Sequence, residues 1–159
     1  MKVTEKRFNN LDNEHKRQVV NFIKNNYNAP DFLKPSLEEL EFHDFTIFLA
    51  LEPIDLFEAG CVGHEIVGVS FLKKITETLI KTRATVIRKD KRGSGIGSKI
   101  NKNLEEHCKK NGINKICCNI YTDNIPSIVL KLKRGYLVEG LLKNHDELGR
   151  HEYIMSKFL

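Results

Sequence analysis

The sequence predicts a single α/β domain built around a mixed β-sheet. Its 159 residues are enough for one domain with a buried core, and 40% hydrophobic with 30% charged residues is typical of a globular protein. Strand-like and helix-like segments alternate in the order β-α-α-β-β-β-α-β-α-β-β, which favours helices packed on one central sheet. We therefore expect about six to seven strands and about four helices.

The N-terminal third contains one strand pattern and two helix patterns. Residues 2–8 favour a strand, and Asp12 begins a helix whose apolar positions recur as far as Tyr27. The Asn-Ala-Pro-Asp sequence at 28–31 ends this helix, because proline cannot continue the helical hydrogen-bond pattern. Residues 36–39 have the spacing of a capping box, which predicts the start of a short second helix.

The next segments favour strands whose pairing the sequence leaves open. Residues 46–51 predict a strand, Pro53 interrupts it, and residues 56–62 form either another strand or a loop. The Gly-His pair at 63–64 predicts a hairpin turn into a strand over residues 65–72. Either of the two earlier segments is a possible neighbour of this strand.

A strand, a glycine-rich turn and an amphipathic helix form the centre of the chain. Residues 78–87 predict the strand, and a stripe of apolar side chains at steps of four predicts the helix. The stripe consists of Ile96, Ile100, Leu104 and Cys108. Two lysines and Gly112 end the helix, since cations and glycine are favoured at helix C-termini.

Three strands and one short helix complete the chain. Residues 113–121 predict a strand, and either Asp123 or Asn124 caps the short helix that follows. The apolar positions of this helix are Ile125, Ile128, Val129 and Leu132. Residues 136–142 and 152–158 predict the last two strands.

The turn over residues 92–99, Arg-Gly-Ser-Gly-Ile-Gly-Ser-Lys, is the most informative part of the chain. Glycine at every second position leaves the backbone open to a ligand, and the following helix adds N–H groups and its positive dipole end. Residues 81–99 contain seven Lys or Arg and one acid, so this segment carries +6 and the rest of the chain −1. The pattern predicts a binding site for a phosphate or pyrophosphate.

The glycine spacing argues against three common phosphate-binding motifs. Gly93, Gly95 and Gly97 do not fit G-x-G-x-x-G, and a serine before Lys99 breaks the P-loop pattern. The catalytic and metal-binding motifs of kinases are not found downstream. A glycine turn without a ligand is the remaining alternative, and the local positive charge disfavours it.

Two blocks of sequence resemble the GNAT family of N-acetyltransferases. Residues 92–97 (R-x-x-G-x-G) resemble the family's acetyl-CoA signature, [QR]-x-x-G-x-[GA]. Residues 124–136 (N-x-x-S-x-x-L-K-x-x-x-G-Y) are similar to the family's N-x-x-A-x-x-[FL]-Y-x-x-x-G-[FY]. The last two strand segments also resemble the family's ending, so the likeness covers about residues 65–159.

The resemblance implies one GNAT domain over residues 1–159, with splayed fourth and fifth strands, that transfers acetyl from acetyl-CoA to a primary amine by direct attack. The amine belongs to a small molecule, peptide or protein, and CoA is the product. Backbone groups of Ile87 and Lys89 would contact the pantetheine arm, and Asn124 would contact the cofactor near the splayed strands. The turn would hold the pyrophosphate with Arg92, Gly93, Ser94, Gly95, Ile96, Gly97 and Ser98.

The chain departs from the family at the catalytic positions. Family members often have a glutamate base on the fourth or fifth strand, where this chain has Ala84 and Asn119. Lys131 stands where the family has the tyrosine that protonates the leaving thiolate. If burial lowers the pKa of Lys131, this lysine is a candidate proton donor. A solvated position on the helix surface is the favoured interpretation. Tyr121 is an alternative donor, or a tyrosine packed on its strand. A catalytically silent acyl-CoA-binding module is therefore the alternative function.

The resemblance also implies that the acceptor enters near residues 28–34 and 144–151, whose acids favour a cationic amine without identifying it. Five other polar residues either hold a water near the acceptor or are solvated loop residues: Glu52, Glu58, His64, His145 and His151. Lys133 and Arg134 are expected on a solvated helix face.

Composition limits the remaining function classes. The four cysteines lack zinc-type spacing, so we expect no metal site and small apolar cysteines in a reducing cytosol. The longest apolar run, residues 47–51, is too short to cross a bilayer, and aromatic residues do not interleave with the basic stretch as in nucleic-acid binders. We expect a cytoplasmic monomer or homodimer whose partners are acetyl-CoA and an amine acceptor, with no membrane or nucleic-acid partner.

Overall fold

The structure of the protein is a computed structural model that describes residues 1–27, 34–43, 45–56, 61–146 and 148–159, without the side chains of residues 54–56 and 61–62. Seven strands and four α-helices occur in this part of the chain. In chain order they are β1 (Lys2–Arg7), α1 (Asn13–Asn26), α2 (Leu37–Phe42), β2 (Thr46–Leu56), β3 (Cys61–Lys74), β4 (Leu79–Ile87), α3 (Ile96–Lys110), β5 (Lys115–Tyr121), α4 (Ile125–Lys133), β6 (Leu137–Leu142) and β7 (Glu152–Phe158). The predicted fold class and element order are confirmed.

The strands form one mixed sheet in the order β1-β2-β3-β4-β5-β7-β6. The pairs β1/β2, β2/β3, β5/β7 and β6/β7 are antiparallel, and β4/β5 is parallel. The parallel register extends only from Leu79 opposite Lys115 to Thr82 opposite Cys118, although β4 continues to Ile87. This short register agrees with the divergence of the fourth and fifth strands that the resemblance implies.

Contacts divide the chain into two compact units. The first consists of Met1–Lys73 and Ala84–Leu104, and the second of Lys74–Arg83 and Glu105–Leu159. In the first unit, α1 and α2 pack on β2 and β3 around a hydrophobic core that includes Phe8, Val19, Ile23, Leu40, Ile47 and Phe71. In the second unit, buried residues of β5 and β7 include Ile116, Cys118 and Met155.

The register of β2 with β3 answers the open pairing question. Residues 46–51 are the neighbours of β3, with Ile47 opposite Phe71. The predicted break at Pro53 is wrong, because β2 continues and Pro53 lies opposite His64. The β1 register ends at Leu51, so the missing N–H of Pro53 costs no hydrogen bond to that strand.

The predicted turn at residues 63–64 is also wrong, because both residues are paired inside β3. Of the undecided segment 56–62, residues 57–60 lie outside the described part of the chain, and the rest belongs to β2 or β3.

The helix boundaries follow the predicted capping residues. The side chain of Asp12 accepts the His15 N–H at 2.8 Å at the start of α1, and Ser36 accepts the Glu39 N–H at 3.1 Å at the start of α2. Asn124, not Asp123, caps α4, with its Oδ1 3.3 Å from the Ser127 nitrogen. The apolar stripe predicted for α3 is fully or almost fully buried.

The predicted apolar face of α4 is wrong. Ile125, Val129 and Leu132 are 58%, 41% and 49% exposed, whereas Lys131 is only 5% exposed. The helix therefore packs with a lysine inward, which hydrophobic periodicity does not anticipate.

Candidate functional site

The turn between β4 and α3 has an open backbone conformation in the first unit. Gly93 and Gly95 have φ angles of +80° and +85°, which L side chains rarely adopt, and a Cβ at either position would have no atom within 4 Å. The Lys99 N–H donates to the Gly95 carbonyl at 3.0 Å, which is the first hydrogen bond of α3. The N–H groups of residues 96–98 precede that bond and have no acceptor within the helix. The turn therefore presents backbone donors beside open space.

The start of α3 is brought close to β3 by Gly68, a residue that the sequence did not single out. A Cβ on Gly68 would lie 2.9 Å from Ile100 Cδ1, 3.0 Å from Ile87 Cδ1 and 3.1 Å from Ile96 Cγ2. Only glycine therefore leaves room at this position for the side chains of α3, and Ile96 is 4% exposed. Ile96 is therefore an anchor of the turn through its side chain.

Asn26, at the end of α1, holds the turn with two hydrogen bonds and makes a third within its own helix. Its carbonyl accepts Arg92 Nη2 at 2.7 Å, its Oδ1 accepts the Lys89 N–H at 3.2 Å, and its Nδ2 donates to the Phe22 carbonyl at 2.9 Å. Arg92 Nε also lies 3.4 Å from the Ile87 carbonyl oxygen. Lys89 and Arg92, two of the predicted ligand-binding residues, thus also serve to position the turn, and sequence reasoning missed their common partner, Asn26.

Side-chain hydrogen bonds stabilise the turn locally. Ser94 Oγ donates to the Lys91 carbonyl at 2.6 Å, and Asn101 Nδ2 donates to the Gly97 carbonyl at 2.8 Å. Gly97 is the second residue of α3, and Ser98 follows it half-buried in the first turn. The residues predicted for pyrophosphate binding therefore lie together in one segment whose conformation is held by these hydrogen bonds.

Two acids from other strands and Asp90 of the segment itself pair with its cations. Arg88 contacts Glu65 at 2.5 Å and Asp90 at 2.7 Å, and Lys91 contacts Glu52 at 2.7 Å. The hydrogen bond from Lys91 lowers the pKa of Glu52, which is therefore an ion-pair partner.

Three cations at the turn make no ion pair with any described residue: Lys89, Arg92 and Lys99. The local positive charge is thus smaller than the count of residues predicts, but it remains centred on the turn.

Lys131 lies in a buried polar cluster of the second unit. Its Nζ is 4.4 Å from the centre of the Tyr136 ring, and burial lowers its pKa. Nearby, Glu105 accepts hydrogen bonds from Arg134 Nε at 2.8 Å and Lys157 Nζ at 2.8 Å. The favoured expectation of solvated Lys131 and Arg134 side chains is wrong, because both extend into this cluster; Lys133 is exposed as expected.

Tyr121, at the end of β5, belongs to a second polar group in the same unit. Its hydroxyl donates to Asp146 Oδ2, and the Arg150 guanidinium lies 3.7 Å from the centre of its ring. Burial and the bond to Asp146 raise the pKa of Tyr121. Asn119, two residues earlier on β5, donates to Glu152 Oε2 at 3.1 Å.

The other predicted polar residues are dispersed. His64 is exposed within β3, and His151 Nδ1 accepts the Asn144 N–H at 3.2 Å. His145 Nε2 is 4.0 Å from Glu152 Oε2. Asn124 is exposed, and its side chain is the cap of α4. Glu58, Glu147 and residues 28–33 of the expected acceptor region lie outside the described residues.

The described part of the chain contains no candidate metal site and no candidate membrane span. No group of three or more His, Cys, Asp or Glu suited to a metal occurs in the described ranges. Helices within those ranges are too short or too polar to span a bilayer. Cys108 and Cys118 are buried, Cys117 is half-buried, and all three are free thiols.

Comparison with known proteins identifies related families and folds. The family model described as "Acetyltransferase (GNAT) family" matches residues 20–136. No curated protein sequence matches significantly.

Three solved structures illustrate the similarity of fold. The chain is 11% identical to the ribosomal-protein-S18-alanine N-acetyltransferase from Escherichia coli, with a TM-score of 0.75 over 99% of this chain and 94% of that one. Ard1 from Thermoplasma volcanium is 16% identical, with a TM-score of 0.75 over 100% and 99%. An aminoglycoside 6'-acetyltransferase type Ii is 20% identical, with a TM-score of 0.76 over 99% and 97%.

Proposed function

Because the chain belongs to the acetyltransferase (GNAT) family, we propose that it is an acetyl-CoA-dependent N-acetyltransferase acting on a primary amine. The amine belongs to a small molecule, a peptide or a protein. The observation that carries the donor assignment is the turn of residues 93–98, where backbone N–H groups border open space. The similar solved structures include enzymes named for a protein alanine and for an aminoglycoside, so they support acetyl transfer without selecting an acceptor.

The turn fits the pyrophosphate of CoA on physical grounds. Gly93 and Gly95 leave no side chain between the ligand and the backbone, and residues 96–98 supply N–H donors at the positive end of the α3 dipole. Lys89, Arg92 and Lys99 add positive charge that no described acid neutralises. The site thus combines directed donors with charge that attracts a phosphate-bearing ligand.

Acetyl-CoA supplies the acetyl group as a thioester, so transfer forms a C–N bond and breaks a C–S bond. In this proposal the chain's own contribution at the donor side is to bind and orient through Ile87, Lys89, residues 92–98 and Asn124. Tyr121 and Lys131 remain the candidate proton donors to the sulfur. The buried position of Lys131 lowers its pKa, which supports this role because an ammonium group of lowered pKa gives up its proton more readily than a solvated one.

The proposal is tested by incubating the protein with acetyl-CoA and a panel of amines that includes a polyamine, an amino sugar and a peptide with a free N-terminus. Thiol release and the mass of the acetylated product are measured together, and CoA binding is measured separately by calorimetry. We expect acetylation of at least one amine. Binding without turnover on any amine would indicate a silent acyl-CoA-binding module, and an absence of CoA binding would overturn the assignment of the turn.

The proposal also includes the oligomeric state and the cellular location of the protein. We propose a cytoplasmic monomer or homodimer with acetyl-CoA and an amine acceptor as its partners. Light scattering of the purified chain measures its mass in solution, and cell fractionation measures its location.

A further inference from the structure

Glu152 is a buried carboxylate at the junction of two strand pairs in the second unit. It is the first residue of β7, opposite Tyr121 of β5 and Leu142 of β6, and only 9% of its surface is exposed. A carboxylate so buried loses much of its hydration, and it is retained in proteins when it is paired or when it serves a function. Its partners therefore decide which of these applies.

No lysine or arginine neutralises Glu152 among the described residues. Its Oε2 accepts a hydrogen bond from the neutral amide of Asn119 at 3.1 Å, and His145 Nε2 lies 4.0 Å from the same oxygen. By contrast, Glu105 is held by Arg134 and Lys157, and Glu139 is held by Lys115 at 2.7 Å. Glu152 thus keeps the capacity to pair with a cation or to accept a proton.

The side chain lies within a polar group on one face of β5. Alternate residues of a strand point to opposite faces, and the buried Cys118, which interacts with Lys131, lies on one face of β5. Asn119 and Tyr121 therefore point to the other face, where Asn119 contacts Glu152 and Tyr121 contacts Asp146.

One oxygen of this group has no partner. Asp146 Oδ1 is buried and accepts no hydrogen bond in the described structure, although Oδ2 is bonded to Tyr121. A buried carboxylate oxygen without a donor is costly, and an incoming N–H group removes that cost. The titratable groups that interact with Glu152 are Tyr121 and His145. Asp146 and Arg150 belong to the same polar group through their contacts with Tyr121.

We propose that Glu152 binds the ammonium group of the acceptor and takes its proton, with Asn119 as the positioning residue. This inference rests on the proposed acetyltransferase function. In the step, one N–H bond of R–NH₃⁺ breaks and one O–H bond forms on Glu152, which gives R–NH₂ and a neutral carboxylic acid. The acid returns its proton to water after turnover. The acceptor class is a cationic primary amine, because only a protonated amine both pairs with Glu152 and donates to it.

The first test compares the kinetics of Glu152→Gln and Glu139→Gln, with the amine that the wild-type protein acetylates as the substrate. Glutamine keeps the volume of Glu152 and an oxygen for the Asn119 hydrogen bond, so folding should persist. We expect kcat/KM to fall about 100-fold, the usual scale for loss of a general base. The remaining rate should then follow the acceptor's own pKa. Glu139→Gln removes an exposed carboxylate of β6 and should leave rate and pH profile unchanged.

Two further variants separate catalysis from structure. Glu152→Asp retains a carboxylate and should keep the acidic limb of the pH profile at a reduced rate, even if Glu152→Gln fails to fold. Asn119→Leu removes the hydrogen bond to the charged carboxylate, so the acidic limb should move to higher pH. A Glu152→Gln enzyme with wild-type kcat/KM and pH profile would overturn the proposal, as would an unmoved acidic limb in Asn119→Leu.

A binding measurement distinguishes failure of this inference from failure of the proposed function. Butane-1,4-diamine is titrated calorimetrically into the CoA-saturated protein and its Glu152→Gln variant. We expect at least tenfold weaker binding to the variant. Equal binding overturns the role of Glu152, whereas a wild-type protein that binds the diamine through Glu152 but transfers no acetyl group contradicts only the proposed function.

Discussion

The buried lysine of α4 leads to a prediction about stability and pH. Lys131 is 5% exposed, and its burial lowers its pKa despite the nearby Tyr136 ring and Glu105, which both favour the charged form. In the unfolded chain the same lysine titrates near its model value of 10.5. Replacing it with methionine keeps an unbranched chain of similar length and removes the titrating group.

The sign of the effect follows from proton binding in the two states. Between the lowered pKa of Lys131 and 10.5, the unfolded chain holds a proton that the folded chain lacks, so stability rises with pH. One proton corresponds to a slope of at most about 1.4 kcal/mol per pH unit. Above about pH 10 the trend reverses, because Tyr121 and Tyr136 have raised pKa values and their protons are lost first from the unfolded chain.

The assay is urea unfolding of wild type, Lys131→Met and the control Lys133→Met at intervals between about pH 7 and 9.5. The control removes an exposed lysine from the same helix. Lys131→Met should be more stable than wild type by about 1 kcal/mol or more near pH 7, with a gap that closes as pH rises. The control should parallel wild type. A Lys131→Met variant with the wild-type pH slope would refute the argument that burial lowers the pKa of this lysine.

Two predictions concern the glycine turn. Gly97→Ala should raise the free energy of unfolding by about 0.5–1 kcal/mol, because position 97 is helical, yet weaken CoA binding at least tenfold by placing a Cβ at the ligand face. Gly95→Ala should lower both the free energy of unfolding and the CoA affinity, since its φ of +85° is strained for alanine. Wild-type CoA affinity in both variants would contradict the assignment of the turn as the pyrophosphate site. Asn26→Ala should weaken CoA binding several-fold, because the turn loses its hydrogen bond to Lys89. The control Asn103→Ala, which removes a similar side-chain bond to Lys99, should bind CoA normally.

The features that the sequence predicts well are those that form between residues close together in the chain. Capping residues such as Asp12 and Ser36 act within three positions, and the apolar stripe of α3 repeats along one helix. The glycine turn is equally local, because its donors and its open conformation arise from consecutive residues. These features were therefore predictable without knowledge of the fold.

The errors occur where partners come from distant segments. Pro53 was expected to end a strand, but whether a proline is tolerated depends on where the β1 register stops. The basic segment was counted without Glu52 and Glu65, which reach it from other strands. Lys131 was expected in solvent because lysine is rarely buried, and only tertiary packing places it near Glu105 of α3.

Glu152, the carboxylate of the proposed acceptor site, was missed for the same reason: its partner lies in a distant segment of the chain. From sequence, a missing glutamate at Asn119 suggests that the chain lacks a base, because that comparison examines one position at a time. The sheet order places β7 beside β5, so a side chain 33 residues away reaches the amide of Asn119. The proton acceptor that we propose is thus encoded by strand pairing: β7 supplies the carboxylate, and Asn119 of β5 orients it.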